Sequence, residues 1–114
     1  MKKKDAEYIA RRCYELAEDK KAEDLIWLDV RDESTICDHF IICSGFSEPH
    51  LRALANHIET ELRKEKIHAK GVDGFPASQW IVLDYVDVLV HIFLKEKRRF
   101  YGLEQLWGKT RRVK

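Results

Sequence analysis

Apolar positions recur at steps of three and four from Asp5 to about Lys20. Ala6, Ile9, Ala10, Cys13, Leu16 and Ala17 fall on one stripe, which predicts an amphipathic helix. The pattern then changes. Leu25-Ile26-Trp27-Leu28-Asp29-Val30 is an apolar run of strand length, and Arg31-Asp32-Glu33-Ser34 predicts a polar turn after it. His39-Phe40-Ile41-Ile42-Cys43-Ser44 is apolar on both faces, the pattern of a central strand. Ser44-Gly45-Phe46-Ser47 turns the chain, with Ser47 as a helix N-cap and Pro49 in the first turn, where a missing N–H is harmless. Leu51, Leu54, Ala55, Ile58 and Leu62 predict a second helix that ends near Lys66. Gly71 to Ser78 reads as a loop, and Gln79–Asp84 and Val88–Phe93 as two further strands. Only Tyr85-Val86-Asp87 separates them, which predicts a hairpin. A short helical tail is expected to return Tyr101, Leu103, Leu106 and Trp107 to the body. This order predicts an α/β fold, a two-layer sandwich of helices on a mixed sheet.

No repeat or low-complexity tract interrupts the 114 residues, so residues 1–114 are expected to form a single domain, with a basic tail from about residue 108. The formal charge is only +1, which argues against a strongly basic nucleic-acid binder. Its distribution is more informative. Lys2, Lys3 and Lys4 begin the chain, and from Lys95 onward eight basic residues stand against Glu96 and Glu104. Residues 5–94 carry ten basic residues against eighteen acidic ones. An acidic body with basic ends can meet a basic protein through one part and phosphate through another, although for any single residue plain solvated charge is the better account.

Cys13, Cys37 and Cys43 lack C-x-x-C spacing, and the N-terminal residues do not have the form of a secretory signal. Reduced thiols in a cytoplasmic protein are the expectation, with no metal site and no membrane span.

Catalysis finds little support. The Ser44–Ser47 turn precedes a helix whose N–H groups can face an anion, but no Gly-Lys-Ser/Thr follows and G-x-S-x-G fails at Pro49. Nucleotidyl transfer needs two carboxylates on one strand face to hold two metal ions. Asp84 and Asp87 are three positions apart and point to opposite faces of a regular strand. His91, between Val90 and Ile92, has the setting of a packed histidine. No catalytic residue and no cofactor is therefore expected.

A surface remains. Trp80, Val82 and Asp84 alternate onto one face, with Tyr85 and Asp87 at the turn. An aromatic and aliphatic patch rimmed by carboxylates suits a protein interface facing a basic partner. Burial of Trp80 under a loop or helix is the alternative.

The segments in order carry a resemblance. Ala22–Val30, Asp38–Ser47, Trp80-Ile81-Val82-Leu83-Asp84, Asp87-Val88-Leu89-Val90-His91-Ile92-Phe93 and Arg99-Phe100-Tyr101-Gly102-Leu103-Glu104-Gln105-Leu106-Trp107 resemble the ribosomal silencing factor family, also called Iojap-related. The specific feature is the sequence of W-x-V-x-D, D-V-x-V-H and Y-x-L-E-x-L-W. This resemblance implies a nucleotidyltransferase-like fold without that fold's catalytic carboxylates. It also implies a homodimer that binds the large ribosomal subunit through large-subunit ribosomal protein fourteen. There such a protein blocks joining of the small subunit and represses translation; relatives in organelles assist large-subunit assembly. Trp80, Val82, Asp84, Tyr85 and Asp87 would form the interface. Lys109, Arg111, Arg112 and Lys114, with Lys2 to Lys4, would contact rRNA phosphates. The alternative is a metal-dependent nucleotidyltransferase using Asp84 and Asp87. Two departures stand out: Val86 occupies the family's usual Gly position in the hairpin, and Phe46 replaces a small or polar residue.

Overall fold

The computed structural model describes residues 5–32, 37–74, 79–95 and 111–114, with the backbone alone at Arg111 and Arg112. Helix α1 spans Ala6–Asp19, and Asp5 caps it by accepting the N–H of Tyr8. Strand β1 (Glu23–Asp29) pairs antiparallel with β2 (His39–Gly45). Helix α2 spans Glu48–Lys64 with Ser47 as its N-cap, as the Ser47–Pro49 pattern predicts. Strands β3 (Gly71–Asp73), β4 (Trp80–Asp84) and β5 (Val88–Leu94) follow. A two-residue strand β6, Arg111–Arg112, completes a six-stranded sheet of order β3-β4-β5-β2-β1-β6. Only the central pair β2–β5 is parallel; the others are antiparallel.

The apolar stripes of both helices bury against one sheet face. Ala10, Cys13, Leu16, Leu51, Leu54, Ile58 and Leu62 close over Trp27, Ile41, Cys43, Ile81, Leu83, Val90 and Ile92. Register explains the selection: Leu83, Val90, Ile41 and Trp27 lie in one row across four strands. Burial of a large aliphatic side chain contributes about 1.5–3 kcal/mol, so this layer contributes strongly to stability. Arg12 donates to Glu65 at 2.9 Å and Tyr8 also bonds Glu65, joining α1 to the end of α2.

Among the described residues, the second face carries a smaller apolar layer of Ile26, Leu28, Val30, Cys37, Phe40, Ile42 and Phe93, with Trp80 and Leu89 against it. This explains why β2 is buried along its whole length. The two-layer α/β fold with a mixed sheet is thus observed.

Three expectations are corrected. Gly71–Asp73 forms an edge strand instead of loop, although all three residues are exposed and give no apolar signal. Arg111 and Arg112 belong to the sheet, paired with Asp29 and Leu28, so the chain is no free tail there. Tyr85, expected on the interface, is buried in the helix-side core. Alternation explains this last point: Ile81, Leu83 and Tyr85 share the face opposite Trp80, Val82 and Asp84. The helical tail expected around Tyr101 to Trp107 lies outside the described residues, as does Lys109.

Candidate functional site

Strand register builds the candidate site on the sheet face away from the helices. Asp73, Val82 and His91 form one row, and Gly71, Asp84 and Leu89 the next; Trp80 pairs with Phe93 beside them. Trp80, Val82, Asp84 and Leu89 are partly buried, while Asp73 and Asp87 are exposed. The structure therefore brings together four of the five predicted interface residues and excludes Tyr85. It adds Asp73 and Leu89, which the sequence offered only through a register that no local pattern specifies.

Trp80 is held from three sides. Its ring stacks on Phe93 at 5.0 Å between centroids, and its Nε1–H donates to Nδ1 of His91 at 3.2 Å. Gly74, at φ +107°, lets the chain pass close to its backbone: a Cβ there would lie 2.3 Å from the Trp80 carbonyl oxygen. His91 in turn meets Phe40 edge-on at 5.3 Å and is only 7% exposed. Burial pushes its pKa down to about 4. Because Nδ1 accepts, the proton of the neutral ring is assigned to Nε2, which has no hydrogen-bond partner among the described residues. An unpaired buried N–H costs about 1–3 kcal/mol.

The acidic rim is shaped by the β4–β5 turn. Asp84 Oδ1 accepts the N–H of Val86 at 2.8 Å, and the Asp87 carbonyl accepts the N–H groups of Asp38 and His39 at 2.8 and 3.1 Å. The turn is thus tied to the start of β2. The Cys37 thiol is pushed up to about 11, mainly by burial and further by the negative charges of Asp38, Asp84 and Asp87. Among the described residues, no three His, Cys, Asp or Glu side chains are grouped to hold a metal ion. No described helix is long and apolar enough to cross a membrane.

The basic residues expected to meet phosphate are placed in part. Lys114 is exposed, with its ammonium 5.4 Å from the Tyr14 ring centroid, on the helix-bearing side. It does not join the Trp80 face.

The fold and this face define a class: a small two-layer α/β protein offering a carboxylate-rimmed patch of sheet. Comparison with known proteins narrows it. The sequence model described as "Ribosomal silencing factor during starvation" matches residues 3–114. Ribosomal silencing factor RsfS of Bacillus subtilis is 40% identical over 91 residues, covering 80% of this chain and 77% of its own. Protein Iojap, chloroplastic, of Zea mays is 36% identical over 92 residues, covering 81% of this chain and 40% of its own. A crystal structure from Chromobacterium violaceum superposes with a TM-score of 0.89 at 30% identity, covering 92% of this chain and 88% of the other. The chain belongs to the ribosomal silencing factor family. The family's bacterial members are named for a regulatory role, not a catalytic one.

Proposed function

We propose that this protein represses translation by occupying large-subunit ribosomal protein fourteen on the large ribosomal subunit, where it sterically blocks joining of the small subunit. One observation carries the reading: the partly exposed Trp80–Val82–Leu89 patch lies beside Asp73, Asp84 and Asp87 on an otherwise filled sheet face. A central aromatic anchor within a charged rim is the common anatomy of a protein interface. The carboxylates favour a basic partner and steer its approach. The mouse relative named "Mitochondrial assembly of ribosomal large subunit protein 1" supports the large subunit as the target, with a role in its assembly alongside repression. Repression needs no chemistry. Free subunits are sequestered once the factor exceeds its dissociation constant. The homodimer implied by the family resemblance and a cytoplasmic location belong to the same proposal.

Truncating a buried interface anchor costs about 2–4 kcal/mol, or roughly a 30- to 1000-fold loss of affinity. Trp80→Ala should therefore lose co-sedimentation with purified bacterial large subunits while its far-UV circular dichroism stays native. Asp84→Lys should do the same through repulsion. Normal binding by both folded variants would sink the proposal. Transfer from labelled nucleoside triphosphates that Asp84→Asn abolishes would instead favour the nucleotidyltransferase alternative.

A further inference from the structure

Among the described residues, two tryptophan–histidine pairs of the same kind occupy opposite faces of the sheet. On the helix side Trp27 Nε1–H donates to Nδ1 of His39 at 3.1 Å, with the indole almost fully buried. On the candidate binding face Trp80 Nε1–H donates to Nδ1 of His91 at 3.2 Å, with the indole only partly buried. The first pair needs no functional explanation, since a buried indole N–H must find an acceptor. The second does. Water can serve the N–H of a partly exposed indole, and a leucine at position 91 would fill the row between Val82 and Ile42 without burying an unpaired Nε2–H. For fold stability the histidine is a poor choice.

What His91 supplies is direction. Stacking on Phe93, at an interplanar angle of 27°, fixes the plane of the Trp80 ring. Stacking alone permits the ring to turn over by half a revolution about its Cβ–Cγ bond, which exchanges the edge that faces a partner. The His91 acceptor favours the orientation that turns Nε1–H toward it. His91 can hold that acceptor steady because Phe40 packs edge-on against it and Phe93 lies nearly parallel to it, at 10°.

We propose that His91 is a positioning residue that orients the indole of Trp80 for its partner, at some cost to the stability of the fold. This rests on the reading of Trp80 as the binding anchor. Preorganising an anchor removes an ordering cost at the moment of association, so its loss is read as a weaker complex with an intact fold.

The test compares His91→Leu and His91→Asn in the full chain, using melting temperature, the indole ¹⁵N–¹H resonances and affinity for purified bacterial large subunits. Trp80→Phe and Trp107→Phe assign the resonances of those two of the three tryptophans, and the remaining one, of Trp27, serves as the internal reference. His91→Leu should melt at the same or a higher temperature. Its Trp80 indole proton should shift and exchange faster with water while that of Trp27 is unchanged, and its dissociation constant should rise about five- to tenfold. His91→Asn, whose Oδ1 stands near the former Nδ1, should recover much of both the resonance position and the affinity. The proposal is overturned if His91→Leu fails to fold, melts several degrees lower, keeps the Trp80 resonance unchanged, or binds as tightly as the parent when Trp80→Ala does not bind. Normal binding by Trp80→Ala overturns the anchor reading itself.

Discussion

Val86 lies at φ 73°, where a β-branched side chain is disfavoured by about 1–2 kcal/mol. The turn holds it there from both sides, through Val86 N–H to Asp84 Oδ1 and Tyr85 N–H to the Val88 carbonyl, at 2.8 and 2.9 Å. Glycine would remove the strain but regain freedom in the unfolded chain, returning about 0.5–1 kcal/mol. Val86→Gly is therefore expected to stabilise by up to about 1 kcal/mol, a rise of about 4 °C in thermal melting. An unchanged or lower melting temperature would mean that the exposed valine side chain makes compensating contacts. Protons act at the same scale. The unfolded chain charges a histidine below about pH 6.5, whereas His91 in the fold stays neutral until about pH 4. Stability is then complete above that window and falls within it, by about 3 kcal/mol in all. Burial of His39 acts in the same direction. Asp29, held down to about 2 by its bonds to Arg31, keeps its charge through this range and adds a loss only at lower pH. Denaturant titrations from pH 7 to 4 should show the decline, and His91→Leu should flatten it.

Among the elements, those with a strong period were legible and those without one were not. Both helical stripes and the four long strands follow from apolar spacing, and Ser47 with Pro49 marks the start of α2. Strand β3 is three exposed residues, and β6 is two arginines paired with β1. Neither has an apolar face to betray it, because an edge strand is specified by its neighbour's open hydrogen bonds. Of the candidate site, Trp80, Val82 and Asp84 were readable from alternation alone. Asp73 and Leu89 required the register, and the exclusion of Tyr85 required carrying the alternation one residue past the end of β4. The end of the chain changes how its basic residues must be tested. Trp27 N–H donates to the Lys114 carbonyl at 3.0 Å and Val113 N–H to the Trp27 carbonyl at 2.8 Å. Deleting residues 109–114 would uncover the edge of β1 and confound charge with folding. Neutralising Lys109, Arg111, Arg112 and Lys114 to glutamine keeps the backbone pairing. That variant should melt like the parent yet show a flatter salt dependence of large-subunit binding, if these cations meet rRNA phosphate. An unchanged slope would return them to ordinary solvated charge.

Across the whole molecule, the sheet separates its tasks. The Trp80 patch lies on β4 and β5 next to the β3 edge, while β6 closes the far edge beyond β1. The middle of the sheet, β2 against β5, joins residues 39–45 to residues 88–94 in parallel, so its partners are distant in the chain. Such a pairing cannot open by fraying of one hairpin. Amide protons of Ile41 to Cys43 and Val90 to Ile92 should therefore exchange with solvent deuterium only when the entire molecule unfolds, at a rate set by global stability. Those of β3 should exchange through local opening and ignore denaturant at low concentration. The surface proposed to meet the ribosome thus spans a gradient of persistence, from a strand that opens often to one that opens only with everything else.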